Sequence, residues 1–302
     1  MVEGGKMTYF MFKQLSILAA IGLVAAGCSI KEDRSHCFAP VTVHVNDFQI
    51  AQEAIPDSKA TAVGSTSAVK AITLAFYTPA GAEQYKHTQV KNDASTYLSS
   101  FGDFTFSLPF GSYTMVVLGY APLDSSPLSL SSSTVAEYTG AHALETLVAT
   151  KAVVIEDSSP LILSATLSRI NAMLQVITTD GKSANANNVQ MTLSGGSKSF
   201  NPTSGLATDN GGFVNTVGIS AAVGSPSTSN SVLFLTSDEQ TMNVTIDVLN
   251  ADGESISQKV VTGVPFKRNC ITKLTGSLYS VSGSAGSFLV DTDWGEPIEM
   301  TF

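Results

Sequence analysis

Three cysteines, four histidines and one acidic cluster are the groups in this 302-residue chain with chemistry to offer. Cys28 stands apart. It follows Ala25-Ala26-Gly27 at the end of an apolar run. That leaves Cys37 and Cys270. In an exported chain the two are either a disulfide or a pair of buried free thiols. Closing so long a loop would contribute at most about 5 kcal/mol. His36, His44, His87 and His142 are scattered, with no partner at ligand or triad spacing, which favours surface or strand-face roles over catalysis or metal binding. Asp291-Thr-Asp293-Trp294-Gly-Glu296 offers oxygens to a cation but lacks the full ligand set of a dedicated calcium loop. Gly195-Gly196 and Gly211-Gly212 lie in polar stretches with no helix behind them, so they do not cradle phosphate. Trp294, with Tyr85 and Tyr97, could stack on a sugar ring, although a Trp near the end of a β domain is more often core or interface. Nothing here points to an enzyme, a metal centre or a cofactor.

The elements around Cys28 position it for export. Lys13 precedes an apolar run of about a dozen residues ending at the small residues before Cys28. Such a run is too short for a hydrocarbon core of ~30 Å, so it reads as a signal peptide, residues 1–27. Its end resembles a bacterial lipobox, which implies cleavage before Cys28 and lipid attachment there. Stable anchoring takes two or more acyl chains. Residues 28–37 then form a polar, solvated tether, Cys28-Ser-Ile-Lys31-Glu32-Asp33-Arg34-Ser-His36-Cys37. Its Lys31-Glu32-Asp33 run looks like the acidic export tag of Bacteroidetes surface lipoproteins, which places the protein at the outer membrane, facing outward.

About 275 residues remain after the leader, enough for two domains. The chain is 43% hydrophobic but 14% charged, with Gly 24 and a net charge of −9. That balance fits an extracellular β protein and excludes the basic footprint nucleic acid requires. No basic patch for anionic lipid exists either, which leaves the lipid as the membrane contact. Alternating or apolar stretches predict strands at Val41–Val45, Ala71–Phe76, Phe104–Leu108, Tyr113–Tyr120, Val153–Ile155 and Leu161–Leu167. Later ones are expected at Ala172–Ile177, Val189–Leu193, Ser231–Leu235, Met242–Val248, Ser255–Val261, Ile271–Tyr279, Ser287–Asp291 and Ile298–Phe302. Asn250-Ala-Asp252-Gly253 marks a hairpin, because Asp-Gly supplies positive φ cheaply. The Ser-rich stretch to about Ser133 and the polar stretch from Ser197 to Asn230 read as largely loop, and Ala141–Thr150 as a short helix or an irregular crossover. Strands with almost no helical period indicate two β-sandwiches in tandem, residues 38–168 and 169–302.

Cys28-Ser-Ile-Lys-Glu-Asp-Arg-Ser-His-Cys37 resembles the mature start of the anchor lipoproteins of Bacteroidales fimbriae. Those proteins often continue Pro-Cys, where this chain has Phe38-Ala39-Pro40. Further resemblance lies in Phe106–Tyr120, Leu167–Leu174 and Val264–Gly276. It implies an all-β chain of two transthyretin-like Greek-key β-sandwich domains standing at the base of a fimbrium. The lipid would hold the fibre in the outer membrane. The partner would be the fimbrial shaft subunit (fimbrillin), joined by strand complementation, and the junction would end fibre growth. A trypsin-like cut after Arg34, which matures shaft subunits, would release an anchor from its lipid and is not expected. The alternatives are a surface glycan-binding lipoprotein, and a shaft or tip subunit.

Overall fold

The computed structural model describes residues 38–49, 69–91, 101–122, 124–280 and 289–292. Cys28, the Lys31–Asp33 run, Cys37, Tyr97, Trp294 and the Ile298–Phe302 strand lie outside them. The described residues contain strands and turns and no helix. In chain order the strands begin β1 (Phe38–Gln49), β2 (Ala71–Tyr77), β3 (Glu83–Val90), β4 (Asp103–Pro109), β5 (Gly111–Tyr120) and β6 (Leu128–Ser132). Next come β7 (Val135–Tyr138), β8 (Thr146–Ile155), β9 (Leu161–Arg169), β10 (Ala172–Thr178), β11 (Asn188–Leu193) and β12 (Ser199–Asn201). The chain continues through β13 (Leu206–Ala207), β14 (Phe213–Gly218), β15 (Thr228–Leu233), β16 (Glu239–Leu249), β17 (Ser255–Lys267), β18 (Ile271–Gly276) and β19 (Leu289–Thr292).

The earlier strands, apart from β6 and β7, form one sheet ordered β3-β2-β5-β8-β9-β1-β4. Pairing between β8 and β9 is confined to Leu147–Arg169 and Val148–Ser168, and there the sheet folds on itself. Ile72, Leu74, Phe76 and Val117 from one layer then meet Val41, Val43, Leu108 and Leu163 from the other in a single core. Phe106 of β4 stacks on Tyr85 of β3 at 3.8 Å and tilts against Phe76 at 5.4 Å. The later strands form a second sandwich from two sheets, β15-β10-β18-β19 and β14-β11-β16-β17.

The two units repeat one plan. In each, the first strand lies parallel to a late one (β1 to β9, β10 to β18) and antiparallel to another (β4, β15). The opposing layers match as well, β3-β2-β5-β8 against β14-β11-β16-β17. What differs are the insertions. β6 and β7 leave the first unit to join β12 and β13 of the second in a small sheet, β13-β12-β7-β6.

Every residue of β2 is buried, because both of its faces are covered. Ile72, Leu74 and Phe76 face the core of the first unit, while Ala71, Ala75 and Tyr77 belong to a second core that runs on into the later half. The hairpin at residues 250–253 forms as expected, with Asn250 Oδ1 accepting the amides of Asp252 and Glu254 and Gly253 at φ 83°.

Three stretches depart from the sequence reading. Residues 141–150 form neither helix nor irregular crossover throughout, since β8 begins at Thr146 and pairs with β5 along its length. Thr146, Val148 and Thr150 are β-branched, which suits a strand, and that central pairing decides it. The Ser-rich stretch holds β6, where Leu128 and Leu130 alternate with Ser and Leu130 is buried. The polar stretch from Ser197 contains β12, β13 and β14. Its buried anchors, Phe200 and Phe213, are spaced too widely to show a period.

Candidate functional site

The site begins at the fold between β8 and β9. Beyond Val148 the two strands part, and among the described residues neither has a further partner along that side. β9 is hydrogen-bonded through Val41–Gln49 on its other flank, so its backbone groups from Leu161 to Leu167 line one wall of a seam, with β8 from Ala149 to Ile155 as the other. Inward side chains at the seam are nearly covered, Leu163 at 7% exposure and Val153 at 5%. On the outside, Val154 is 58% exposed and Ile162 70%. The second unit shows what such a position accepts. There β19 lies antiparallel to β18, Leu289 opposite Thr275 and Thr292 opposite Thr272, on the flank that in the first unit has no partner beyond β8's short pairing among the described residues. A row of unpaired amides and carbonyls with apolar side chains on both walls is a template for an added strand.

The seam closes at the junction of the two units. Arg169, whose side chain is 4% exposed, donates from Nε and Nη2 to Glu145 Oε1 and from Nη1 to Asn269 Oδ1 at 3.2 Å. Asn269 takes φ 60°, a left-handed conformation that Asn tolerates better than most residues, and its amide donates to the Asn171 carbonyl. Asn171 in turn accepts from the Thr146 amide and donates to the Leu144 carbonyl. Tyr138 bonds Thr146 Oγ1 at 2.7 Å, and burial drives its phenol far above the ordinary value. Arg169, Asn171 and Asn269 lie in the Leu167–Leu174 and Val264–Gly276 segments singled out in the sequence, but their bonds to Glu145, Thr146 and one another are long-range and no local pattern reports them.

Two further polar features have structural roles. Burial opposes ionisation of Asp180, but the amides of Leu278, Tyr279 and Ser280 outweigh it and hold the carboxyl below its usual value. The Tyr77 hydroxyl is buried with no partner among the described residues, and burial, then Glu83, pushes its pKa up to about 12.

The remaining candidates are dispersed. His44 sits on the outer face of β1 at 2.7 Å from Asp103, His87 meets the edge of Phe104, and His142 Nδ1 bonds Asn215 Oδ1. Among the described residues no three His, Cys, Asp or Glu converge as for a metal ion. Tyr85, considered for sugar stacking, has one ring face covered by Phe106. Cys270 is buried and unbridged among the described residues, and burial raises the pKa of its thiol. It lies beside Asn269 at the junction.

A model of a family of unknown function (DUF6562) matches residues 129–301, opening one residue into β6. A search of curated proteins returns no match. Among solved structures, the fimbrial anchor protein Mfa2 of Porphyromonas gingivalis aligns at TM-score 0.52 and 13% identity, over 88% of this chain and 100% of its own. A candidate adhesin of Bacteroides ovatus aligns at 0.51 and 13%, over 87% and 95%. A candidate polysaccharide-binding protein of Bacteroides thetaiotaomicron aligns at 0.51 and 10%, over 87% and 98%. At these identities the likeness is one of fold.

Proposed function

The chain belongs to DUF6562, a family whose function is unknown, and from that starting point we propose a non-enzymatic fimbrial anchor or minor subunit. Lipid on Cys28 tethers it to the outer membrane, facing outward behind the Lys31-Glu32-Asp33 tag. The first sandwich receives an extended segment of the shaft subunit, and the filled seam ends growth of the fibre. The observation that carries this reading is the flank of β9 from Leu161 to Leu167, which has no strand partner among the described residues, at the position where the second sandwich holds β19. An incoming strand would satisfy that backbone, and its alternate side chains would lie between Val154 and Ile162 outside and over Val153 and Leu163 inside. The fold shared with the Mfa2 fimbrial anchor supports the same reading.

Loss of the protein should leave fewer fibres on the cell and more in the medium. Cys28→Ala should release fibres in the same way, because the foot would lose its acyl chains while keeping its fold. Electron microscopy of cells and quantification of shed fibres read both. Unchanged attachment in the deletion strain rejects the anchor role, and normal membrane retention of the Cys28→Ala protein rejects the lipid tether.

A further inference from the structure

The end of the first sandwich where β1 begins carries an apolar surface that neither core uses. Ala39 and Val41 point inward and are fully buried, so the alternation of β1 turns Phe38 and Pro40 outward. Phe38 pairs with Pro109 and Pro40 with Ser107, and Phe110 follows in the turn to β5. Phe38 is 47% exposed and Phe110 38%. Two aromatic rings flanked by two prolines thus occupy one rim, on the β1 and β4 side and at the end of the sandwich where β8 turns into β9.

Chain connectivity places that rim. Cys28 precedes Phe38 by ten residues, so a fully extended tether keeps Phe38 within about 36 Å of the lipid. Tethering raises the effective concentration of the rim at the membrane surface, so weak contacts count. Charge narrows the kind of surface. Glu156 and Asp157, exposed in the turn between β8 and β9 at the same end, would repel anionic headgroups, while Phe side chains on a surface face bury at the headgroup–acyl boundary. Building on the lipid anchor proposed above, we propose that Phe38, Pro40, Pro109 and Phe110 form a second membrane contact, seated among lipid headgroups, that fixes the tilt of the first sandwich on the membrane.

The test uses lipidated full-length protein in phosphatidylcholine vesicles. Trp294 is the only tryptophan, so Trp294→Phe with Phe110→Trp leaves one indole at the rim. A companion carries Val223→Trp instead, in the loop at the end of the second sandwich away from Asn171. With lipid brominated at shallow acyl positions, the indole at 110 should lose most of its emission and shift to the blue, while that at 223 should do neither. Vesicles rich in phosphatidylglycerol should weaken the quenching at 110. Co-flotation is measured on the same samples. Protein that floats with its indole at 110 unquenched overturns this inference and leaves the lipid anchor standing. Protein that fails to float overturns both. A blue shift at 110 in the Cys28→Ser protein without vesicles also overturns it, since the rim would then be covered by the chain itself or a second copy.

Discussion

Arg169 ends the last strand of the first sandwich three residues before the first strand of the second, and water hardly reaches it. Its guanidinium spends three donors on Glu145 and Asn269. Taking either partner away leaves a positive charge in a site that has already lost its hydration, and uncompensated buried charges are expensive. The Glu145 side chain keeps 29% exposure, so water can replace part of the lost partner. Glu145→Ala should therefore destabilise the protein by about 2–4 kcal/mol, below the full cost of breaking a buried pair. Lys267 and Glu239 form the contrast. They are 3.2 Å apart but 54% and 71% exposed, and Glu239→Ala should cost less than about 0.5 kcal/mol. Chemical denaturation of the two variants separates the cases, and equal effects would mean that Arg169 is hydrated in solution.

Among the elements, β9 matters most for the proposed function because one flank pairs with β1 along its length while the other, from Leu161 to Leu167, has no strand partner among the described residues. Lysines on edge strands are an established deterrent to strand addition. Val154→Lys and Ile162→Lys replace side chains that are already in water, so folding should be unaffected. Together they should weaken binding of the shaft subunit about tenfold or more, a loss of at least ~1.4 kcal/mol, measured by titration with purified shaft protein. Unaltered affinity would move the docking site elsewhere. β9 was plain in the sequence, since Leu161-Ile-Leu-Ser-Ala-Thr-Leu167 is strongly β-like and buried on alternate positions. The same holds for β1, β4, β10 and β16, each with one face in a core. β3 was not legible, because it lies at a sheet edge and only Tyr85 and Gln89 of Glu83–Val90 are even half-buried. The short strands β12 and β13 form because β7 is there to pair with β12, a long-range cause that no local pattern reports. The seam itself was invisible for a related reason: sequence predicts strands, but which flank lacks a partner depends on topology.

At the scale of the molecule, the two sandwiches repeat a plan yet are not independent. The outward face of β2 and β5, with Tyr77, Val116 and Leu118, shares one core with Leu174, Phe234 and Phe266 of the later half. Tyr138 on β7 is the wedge between them. Its ring is fully buried and lies nearly parallel to Phe234 at 6.3 Å, and Phe234 stacks on Phe200 at 4.3 Å. The Tyr138 hydroxyl meanwhile holds Thr146 at the start of β8. Under the anchor role proposed above such continuity would matter, because load entering one sandwich would be passed through packed side chains to the other instead of through a hinge. The protein should accordingly melt in a single calorimetric transition, with calorimetric and van't Hoff enthalpies in agreement. Tyr138→Ala should remove about 3–5 kcal/mol and move that whole transition downward. Two resolved transitions, with Tyr138→Ala lowering only one, would show that the shared core is too weak to couple the units.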